Sequence, residues 1–368
     1  MLPAARPYSA PVTQVLIIGG GLGGLHAARL LHRAGVDHVL LEGSPRLGGR
    51  ILTEQVGAAD TASAYDLGPA WFWPAFQHRV PALVAELGLR AFPQHVDGAL
   101  MWEESADACT RFDGGAPMDG SMRLAGGLQA LITALADDGG GTCVELDQRV
   151  TTLRMTGTVV EVDAVDADGH VATRTAARVI STLPPRLLGR TVEFDPPLPS
   201  EIVADWASVP TWMAGQAKVI AVYERAFWRE AGLSGEARSR VGPMVEIHDA
   251  SAEMGLPALS GFVGVPAQAR AGAGPRITNA AVAQLQRLFG PDAAHPVACL
   301  YKDWAADPLV ATPEDAAPLL AHPTYGRHRP PPSPWANHLV LAGTEAAAEQ
   351  GGYMEGALAA SNAAVGAA

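Results

Sequence analysis

The chain has 368 residues, 48% hydrophobic and 17% charged, which supports a substantial core and argues against disorder. Its net charge of −12 argues against a nucleic-acid binder and gives a weak long-range pull on cationic small molecules. No apolar run approaches the length of a membrane span, and Met1–Val12, rich in Pro and Ala, lacks the pattern of a secretory leader, so a cytoplasmic protein with no membrane contact is expected.

The first predicted elements carry the most information. An apolar β-type run, Val15–Ile18, meets a glycine cluster in which Gly19, Gly21 and Gly24 fit G-x-G-x-x-G. A helical pattern follows (Leu22, Leu25, Leu30, Leu31), with Gly35 placed to end it, and then a second run, Val39–Leu41, closed by Glu42. Strand, turn, helix, strand and acid together are the full context of a dinucleotide fingerprint. Gly19 permits a tight turn, Gly21 lets a pyrophosphate approach the backbone, and Gly24 lets the helix pack closely. The helix N-terminus offers N–H groups to an anion, and Glu42 can accept from a ribose diol. The next residues extend the pattern as E-x-x-x-R-x-G-G-R. Gly48 and Gly49 allow a second close backbone approach there, and Arg46 and Arg50 can reach phosphate.

Further along, breaks fall at Asp137–Gly141, Ala271–Pro275 and the proline cluster Pro330–Pro332 with Pro334, and no internal repeat is visible. The three cysteines, Cys109, Cys143 and Cys299, lie far apart with no C-x-x-C or H-E-x-x-H, so neither a disulfide nor a metal site is expected. Of 26 basic residues only Lys218 and Lys302 are lysines. Lys218 stands in an apolar strand, GQAKVIAVYERAFW, where period two puts Gln216, Lys218, Ile220 and Val222 on one face. An ammonium among aliphatic side chains is costly unless paired or wet, so Lys218 is either a strand-end lysine reaching solvent or a functional group. Eleven histidines are scattered, of which His78, His95 and His248 fall where a substrate region would lie; a lone histidine is more often a surface or satisfied core residue.

These segments, with several others, resemble the flavin-containing amine oxidases, the monoamine and polyamine oxidase superfamily. DLGPAW (Asp66–Trp71) is similar to the family's DLGG segment, and RLAGGLQALITAL (Arg123–Leu135) to its P-G-G-x-x-x-L segment. ELDQRV (Glu145–Val150) resembles the strand that ends against adenine, and RVISTLPPRLL (Arg178–Leu188) the strand ending in T-x-P-P. LVLAGTEAAAEQGGYMEGALAASNAA (Leu339–Ala364) resembles the closing A-G-T-E … G-Y-M-E-G-A motif, the most specific of the matches.

The resemblance implies an α/β protein with an α+β substrate part. A Rossmann-like FAD-binding domain of the glutathione-reductase type (13–75, 121–190, 335–368) would interleave with a smaller sheet-plus-helix substrate domain (76–120, 191–334). The short insertion 76–120 implies an open site or one completed by another subunit, and a homodimer fits this expectation. FAD contacts would fall on Gly19, Gly21, Gly24, Glu42, Arg46, Gly49, Arg50, Gly68, Ala70, Trp71, Val150, Trp304, Gly343, Glu345, Gly352, Tyr353 and Met354. In the closing motif Glu345 would bind ribityl hydroxyls. A helix starting near Tyr353–Met354 would aim its N–H groups at the flavin edge that becomes anionic on reduction.

For chemistry, the resemblance makes Lys218 the lysine that holds a water against flavin N5 and Tyr353 one wall of an aromatic cage. Trp71 stands in place of a common aromatic, and Trp304 resembles a tryptophan near the flavin ring. The second cage tyrosine would fall near Ala311 and is absent. No cysteine follows Cys299, which implies non-covalent FAD. The implied reaction is oxidation of an amine to an imine by hydride transfer to N5, with O2 reoxidising the flavin to give H2O2. Dehydrogenation of a C–C bond, oxidation of a nicotinamide-like compound as in protoporphyrinogen oxidases and renalases, and a non-catalytic flavin-binding partner protein are the alternatives.

Overall fold

A computed structural model describes residues 12–58, 62–114, 116–139, 143–319 and 321–366. The Pro/Ala-rich start before Val12, and Gly140 and Gly141 of the Asp137–Gly141 break, lie outside the described residues. The chain divides into two compact units, one of Met1–Leu47, Leu135–Val209 and Thr324–Ala368, the other of Gly48–Ala134 and Pro210–Pro323.

In the first unit, continuous apolar runs such as Val15–Ile18 and alternating ones such as Val159–Val165 build an eight-stranded sheet. Its order is Glu193–Asp195, Arg149–Thr156, Val159–Val165, Val171–Ser181, Val12–Ile18, His38–Leu41 and Cys143–Glu145, with Leu339–Leu341 also pairing Val171–Ser181. Four of these strands run parallel and in register at their C-terminal ends: Leu41 pairs with Ile18, Ile18 with Ser181, and Ser181 with Leu341. The antiparallel meander of Arg149–Thr156 and Val159–Val165 extends the sheet on one side. The helix Leu22–Arg33 leaves the first strand directly, and Gly35 follows its cap at φ +69°, a left-handed position that glycine takes without strain. The last helix, Met354–Gly366, packs on it, with Ser361 Oγ donating to Gly23 O at 2.8 Å and His26 Nε2 3.1 Å from Asn362 Oδ1. Segments from the two ends of the sequence thus meet in one layer.

In the second unit a seven-stranded sheet runs Ala298–Asp303, Ala217–Val222, Ala258–Val263, Met244–Asp249, Leu233–Ser239, Ala99–Ser105 and Ala108–Phe112. Ala217, Val219 and Ala221 face the helix Gly274–Phe289 through Ile277, Ala281 and Leu285. The opposite face, with Ile220 and Val222, packs on Tyr65 of the hairpin Thr53–Val56/Ser63–Asp66 and on Leu67, which follows it.

The units divide the chain differently from the expected domains. Residues 48–75 and 121–134 group with the second unit, because Asp66 Oδ1 accepts from Thr53 Oγ1 and from the N–H of Leu128, and Leu67 rests on the Lys218 strand. Residues 191–209 and 324–334 group with the first, since Glu193–Asp195 pairs with Arg149–Thr156 and Trp206 is fully buried in that unit's core. With those segments moved, the second unit is the longer of the two.

The tightest constraint on the first unit is Gly24, where a Cβ would lie 1.8 Å from the Gly19 carbonyl oxygen. Gly24→Ala should lower stability by about 3 kcal/mol, the upper range for overpacking. Gly35→Ala, strained in φ but with open space around it, should cost about 1 kcal/mol. Urea denaturation of the two variants checks the order; equal losses would show that the Gly24–Gly19 approach is not the constraint.

Candidate active site

Because four strands end in register, the first unit gathers its candidate residues along one sheet edge, where α/β sheets bind ligands. Gly19, at φ +104°, turns the chain so tightly that a Cβ would lie 2.5 Å from Thr182 Oγ1. Thr182 Oγ1 in turn donates to Ile18 O at 2.9 Å, and a Cβ at Gly343 would meet Thr182 O at 2.9 Å. Gly21 is the N-cap of Leu22–Arg33 and supplies no side-chain cap, so the first helical N–H groups face the glycine loop with no side chain bonded to them there. Glu42, 8% exposed, accepts from Gly20 N at 2.5 Å and Ser44 N at 2.8 Å. The Glu145–Val150 segment is tied alongside: Glu42 N donates to Glu145 O at 2.9 Å and Gln148 N to Glu42 O at 2.8 Å. This is a cradle that side chains would fill and an acid at its end, and it fits a dinucleotide. Arg46 follows on the loop, its guanidinium 3.3 Å from Leu47 O.

The closing motif folds tightly in the same unit. Glu345 is fully buried. Gly351 abuts Tyr325 and Gly356 abuts the Gln350 carbonyl, at virtual Cβ distances of 2.5 and 2.2 Å, while Gly352 takes φ +84°. The turn delivers Tyr353, 38% exposed, to the start of the helix that begins at Met354. Thr344 Oγ1 donates to Tyr353 O at 2.7 Å and holds that start in place.

The second unit centres on Lys218. Its side chain is 2% exposed, which rules out the solvent-reaching alternative. Nζ donates to Asp66 O and Gly68 O, both at 2.9 Å, and lies 5.2 Å from the Trp71 ring centre and 5.3 Å from that of Phe262. Trp304 Nε1 donates to the intervening Leu67 O at 3.0 Å, so three successive carbonyls of the DLG segment are held by two side chains. Gly68 permits that segment to lie on the G-G-R loop, since a Cβ would sit 2.0 Å from Arg50 O. Gly49 takes φ +56° in the loop, Arg50 Nη1 reaches Trp212 O at 3.4 Å, and buried Ala70 leads to Trp71. Ala311, where the second cage tyrosine would fall, packs against the Ala214–Trp304–Val310 cluster.

Burial pushes the Lys218 ammonium down to about 8; the Asp66 charge resists this and the Arg123 charge adds to it. Asp66 is itself raised, chiefly by burial, against its bonds from Thr53 and Leu128 and the charges of Arg123 and Lys218.

Sequence reasoning missed Phe262, Gln94 and the glutamates around His248. Phe262 pairs with Lys218 across strands Ala258–Val263 and Ala217–Val222. Gln94 Oε1 accepts from Trp71 Nε1 at 2.8 Å. His78 precedes the helix Arg79–Glu86 and the His95 carbonyl accepts from Gln94 Nε2, whereas the His248 ring packs on Trp71 with ring centres 5.1 Å apart.

Comparison with known proteins decides the family. Residues 115–367 match the model of the flavin-containing amine oxidoreductases, and 17–87 match an NAD(P)-binding Rossmann-like domain. The chain belongs to the flavin-containing amine oxidoreductase family. It is 27% identical to a Mycobacterium tuberculosis protein named as a flavin-containing monoamine oxidase, AofH, over 94% of each chain. It is 38% identical to the pig flavin-containing amine oxidase A over 24% of this chain and 16% of that one. Among solved structures, putrescine oxidase bound to putrescine superposes with a TM-score of 0.78, at 21% identity over 97% of this chain and 98% of that one. Cyclohexylamine oxidase from Brevibacterium oxydans IH-35A gives 0.79 at 20% identity, over 97% and 98%. At these identities the structural likeness establishes the fold. Membership makes this chain a flavin-dependent oxidoreductase of the amine oxidase type. Among the described residues no helix is long and apolar enough to cross a membrane.

A lysine pushed down to about 8 carries a linked stability cost. In the unfolded chain it keeps its proton to about 10.5, so between about 8 and about 10.5 the unfolded state binds the extra proton. Stability should therefore rise with pH through that window, as the burial penalty present below it is relieved. In Lys218→Met the rise should vanish. Urea midpoints of both proteins across the window measure this, and parallel pH profiles would show that Lys218 is not the titrating group.

Proposed function

We propose that the chain is an FAD-dependent oxidase that converts a small amine to its imine. The single observation carrying this reading is the buried Lys218, bound to the DLG carbonyls and flanked by two aromatic rings. Gly19, Gly21, Gly24, Glu42, Arg46, Val150, Gly343, Glu345, Gly352 and Met354 are the first-unit residues that would hold the cofactor; Gly49, Arg50, Gly68, Ala70, Trp71 and Trp304 are those of the second unit. When bound, FAD would accept hydride at N5 from the carbon bearing the amine and pass the two electrons to O2, giving H2O2, while water hydrolyses the released imine.

The chain's own residues do the remaining work. An ammonium has three N–H donors; Lys218 commits two to carbonyls, and the third is a donor for a water molecule at the reacting centre. In each unit an aromatic ring, Trp71 in the second and Tyr353 in the first, is of the kind that favours an amine nitrogen, and the net charge of −12 draws its cationic form. The names of the relatives, monoamine, putrescine and cyclohexylamine oxidases, support an amine substrate. With no cysteine after Cys299 the flavin is held non-covalently, so acid precipitation should release free FAD. A cytoplasmic homodimer fits the composition and the short 76–120 segment.

One observation favours a second reading. Ala311 leaves the aromatic cage without its second tyrosine, as a C–C or dihydronicotinamide substrate would tolerate. Anaerobic mixing with separate panels of amines, amino acids, dihydronicotinamides and porphyrinogens distinguishes the two. Loss of the oxidised flavin band is expected with an amine, and Lys218→Met should slow that loss by about two orders of magnitude, as for removal of a positioned proton-handling group, while retaining flavin. Bleaching only by a non-amine donor transfers the assignment to it, and bound flavin reduced by none points to a non-catalytic partner.

A further inference from the structure

The face of the second-unit sheet that carries Lys218 holds a second polar group. Arg238 pairs with Glu246, Glu246 with Phe262, and Phe262 with Lys218 in one cross-strand row. Two residues along, His248 pairs with Ser260, and Glu236 stands on its other side. His248 and Glu236 are 2% and 4% exposed. His248 Nε2 lies 2.7 Å from Glu246 Oε1, whose carboxylate also pairs with Arg238. On the other side, His248 Nδ1 is 3.8 Å from Glu236 Oε1, and both atoms are buried with no hydrogen-bond partner. The Ser260 hydroxyl in the same row also has none.

A neutral imidazole that donates from Nε2 to Glu246 turns the lone pair of Nδ1 toward an unpartnered carboxylate oxygen. Two buried acceptors facing each other are unfavourable. A proton on Nδ1 converts the repulsion across 3.8 Å into an ion-pair attraction, so the ring is drawn toward a carboxylate at each end. The charges around the ring support this. Burial pushes its pKa down, but the nearby Glu236 carboxylate and the hydrogen bond and charge of Glu246 together raise it above the ordinary value. Arg238, from the same strand as Glu236, is committed to Glu246, and Asp249, next in the His248 strand, is committed to Arg229. Ser260 and Phe262 bring no charge from the third strand. Lys218, from the fourth, lies against the Trp71 ring, which His248 also touches.

The Trp71 indole is therefore set by four neighbours. Lys218 Nζ is 5.2 Å from its ring centre, His248 meets it edge-on at 5.1 Å and 66°, Phe262 is tilted at 6.4 Å, and Gln94 accepts from its Nε1. Gln94 is fixed in turn through its Nε2 to Asp249 O at 2.8 Å. Of the four, only His248 and Lys218 change charge in the working pH range.

We propose that His248 is a positioning residue: as an imidazolium strung between Glu236 and Glu246, it fixes the Trp71 indole against Lys218 and so sets the aromatic wall offered to the amine. The functional part of this rests on the amine-oxidase reading above; the structural part does not.

The test uses flavin-loaded protein carrying 5-fluorotryptophan, with the Trp71 19F resonance assigned from Trp71→Phe. Two steps are expected in its chemical shift between about pH 5.5 and about 9, one from His248 above its ordinary value of about 6.5 and one from Lys218. His248→Gln should abolish the first and keep the second, and Lys218→Met the reverse. Glu236→Gln, which keeps the histidine and its packing, should lower the first midpoint by about one pH unit, the effect of removing one nearby carboxylate. With any amine that reduces the flavin, Glu236→Gln should raise KM about tenfold and leave kcat within about twofold, because it loosens a wall rather than the reacting atoms. A Trp71 resonance that shows no step in His248's range, or a first step that survives His248→Gln or does not shift in Glu236→Gln, overturns the proposal. None of the resonance results depends on turnover, so the absence of an amine substrate would defeat the functional reading alone.

Discussion

The contact between the DLG segment and the second-unit sheet is organised around a buried cation, Lys218. Removing an ammonium from water is costly unless other groups replace its hydration. Lys218 recovers part of that cost from two backbone carbonyls and two aromatic faces, and what remains shows as the downward push on its proton affinity. The same bonds fix the DLG segment on the sheet, with the Trp304 indole holding the carbonyl between them. One side chain therefore clamps the DLG segment and is also the group proposed to offer a donor to water. Among the chain's lysines and arginines, all but Lys218 and Lys302 are arginines; a guanidinium keeps its charge at any working pH, whereas the buried Lys218 ammonium titrates at about 8.

The first unit rests on a different constraint, the common register of four parallel strand ends. Register places Glu42, Gly19, Thr182 and Ala342 side by side although they are far apart in sequence. Glycine is then required where loops leaving those ends crowd one another, at Gly19 and Gly343 against Thr182 and at Gly24 against Gly19. The open helix start at Gly21 and the acid at Glu42 follow from the same arrangement.

Local pattern was enough to find the parts whose function is local. The glycine loop, its helix, Glu42 and the start of the last helix at Met354 stand where the sequence puts them, because each is decided within a few turns of chain. The Lys218 strand was legible from its period and from the scarcity of lysine, but its partners were not. Phe262 and His248 reach Lys218 and Trp71 through cross-strand register, and Gln94 reaches Trp71 by a hydrogen bond from outside the sheet, neither of which a single sequence encodes in any short window. The unit boundaries were hidden for the same reason. Residues 48–75 follow the fingerprint in sequence, yet their hydrogen bonds run to Leu128 and Lys218.

The composition itself provides the most direct test, since two lysines give two side-chain signals. In flavin-loaded protein labelled with 13C and 15N lysine, and assigned with Lys302→Arg, the Lys218 ε-CH2 resonance should titrate with a midpoint at about 8. A Lys218 signal that keeps the ordinary lysine midpoint of about 10.5 would contradict a desolvated amine at the centre of the unit and the chemistry built on it.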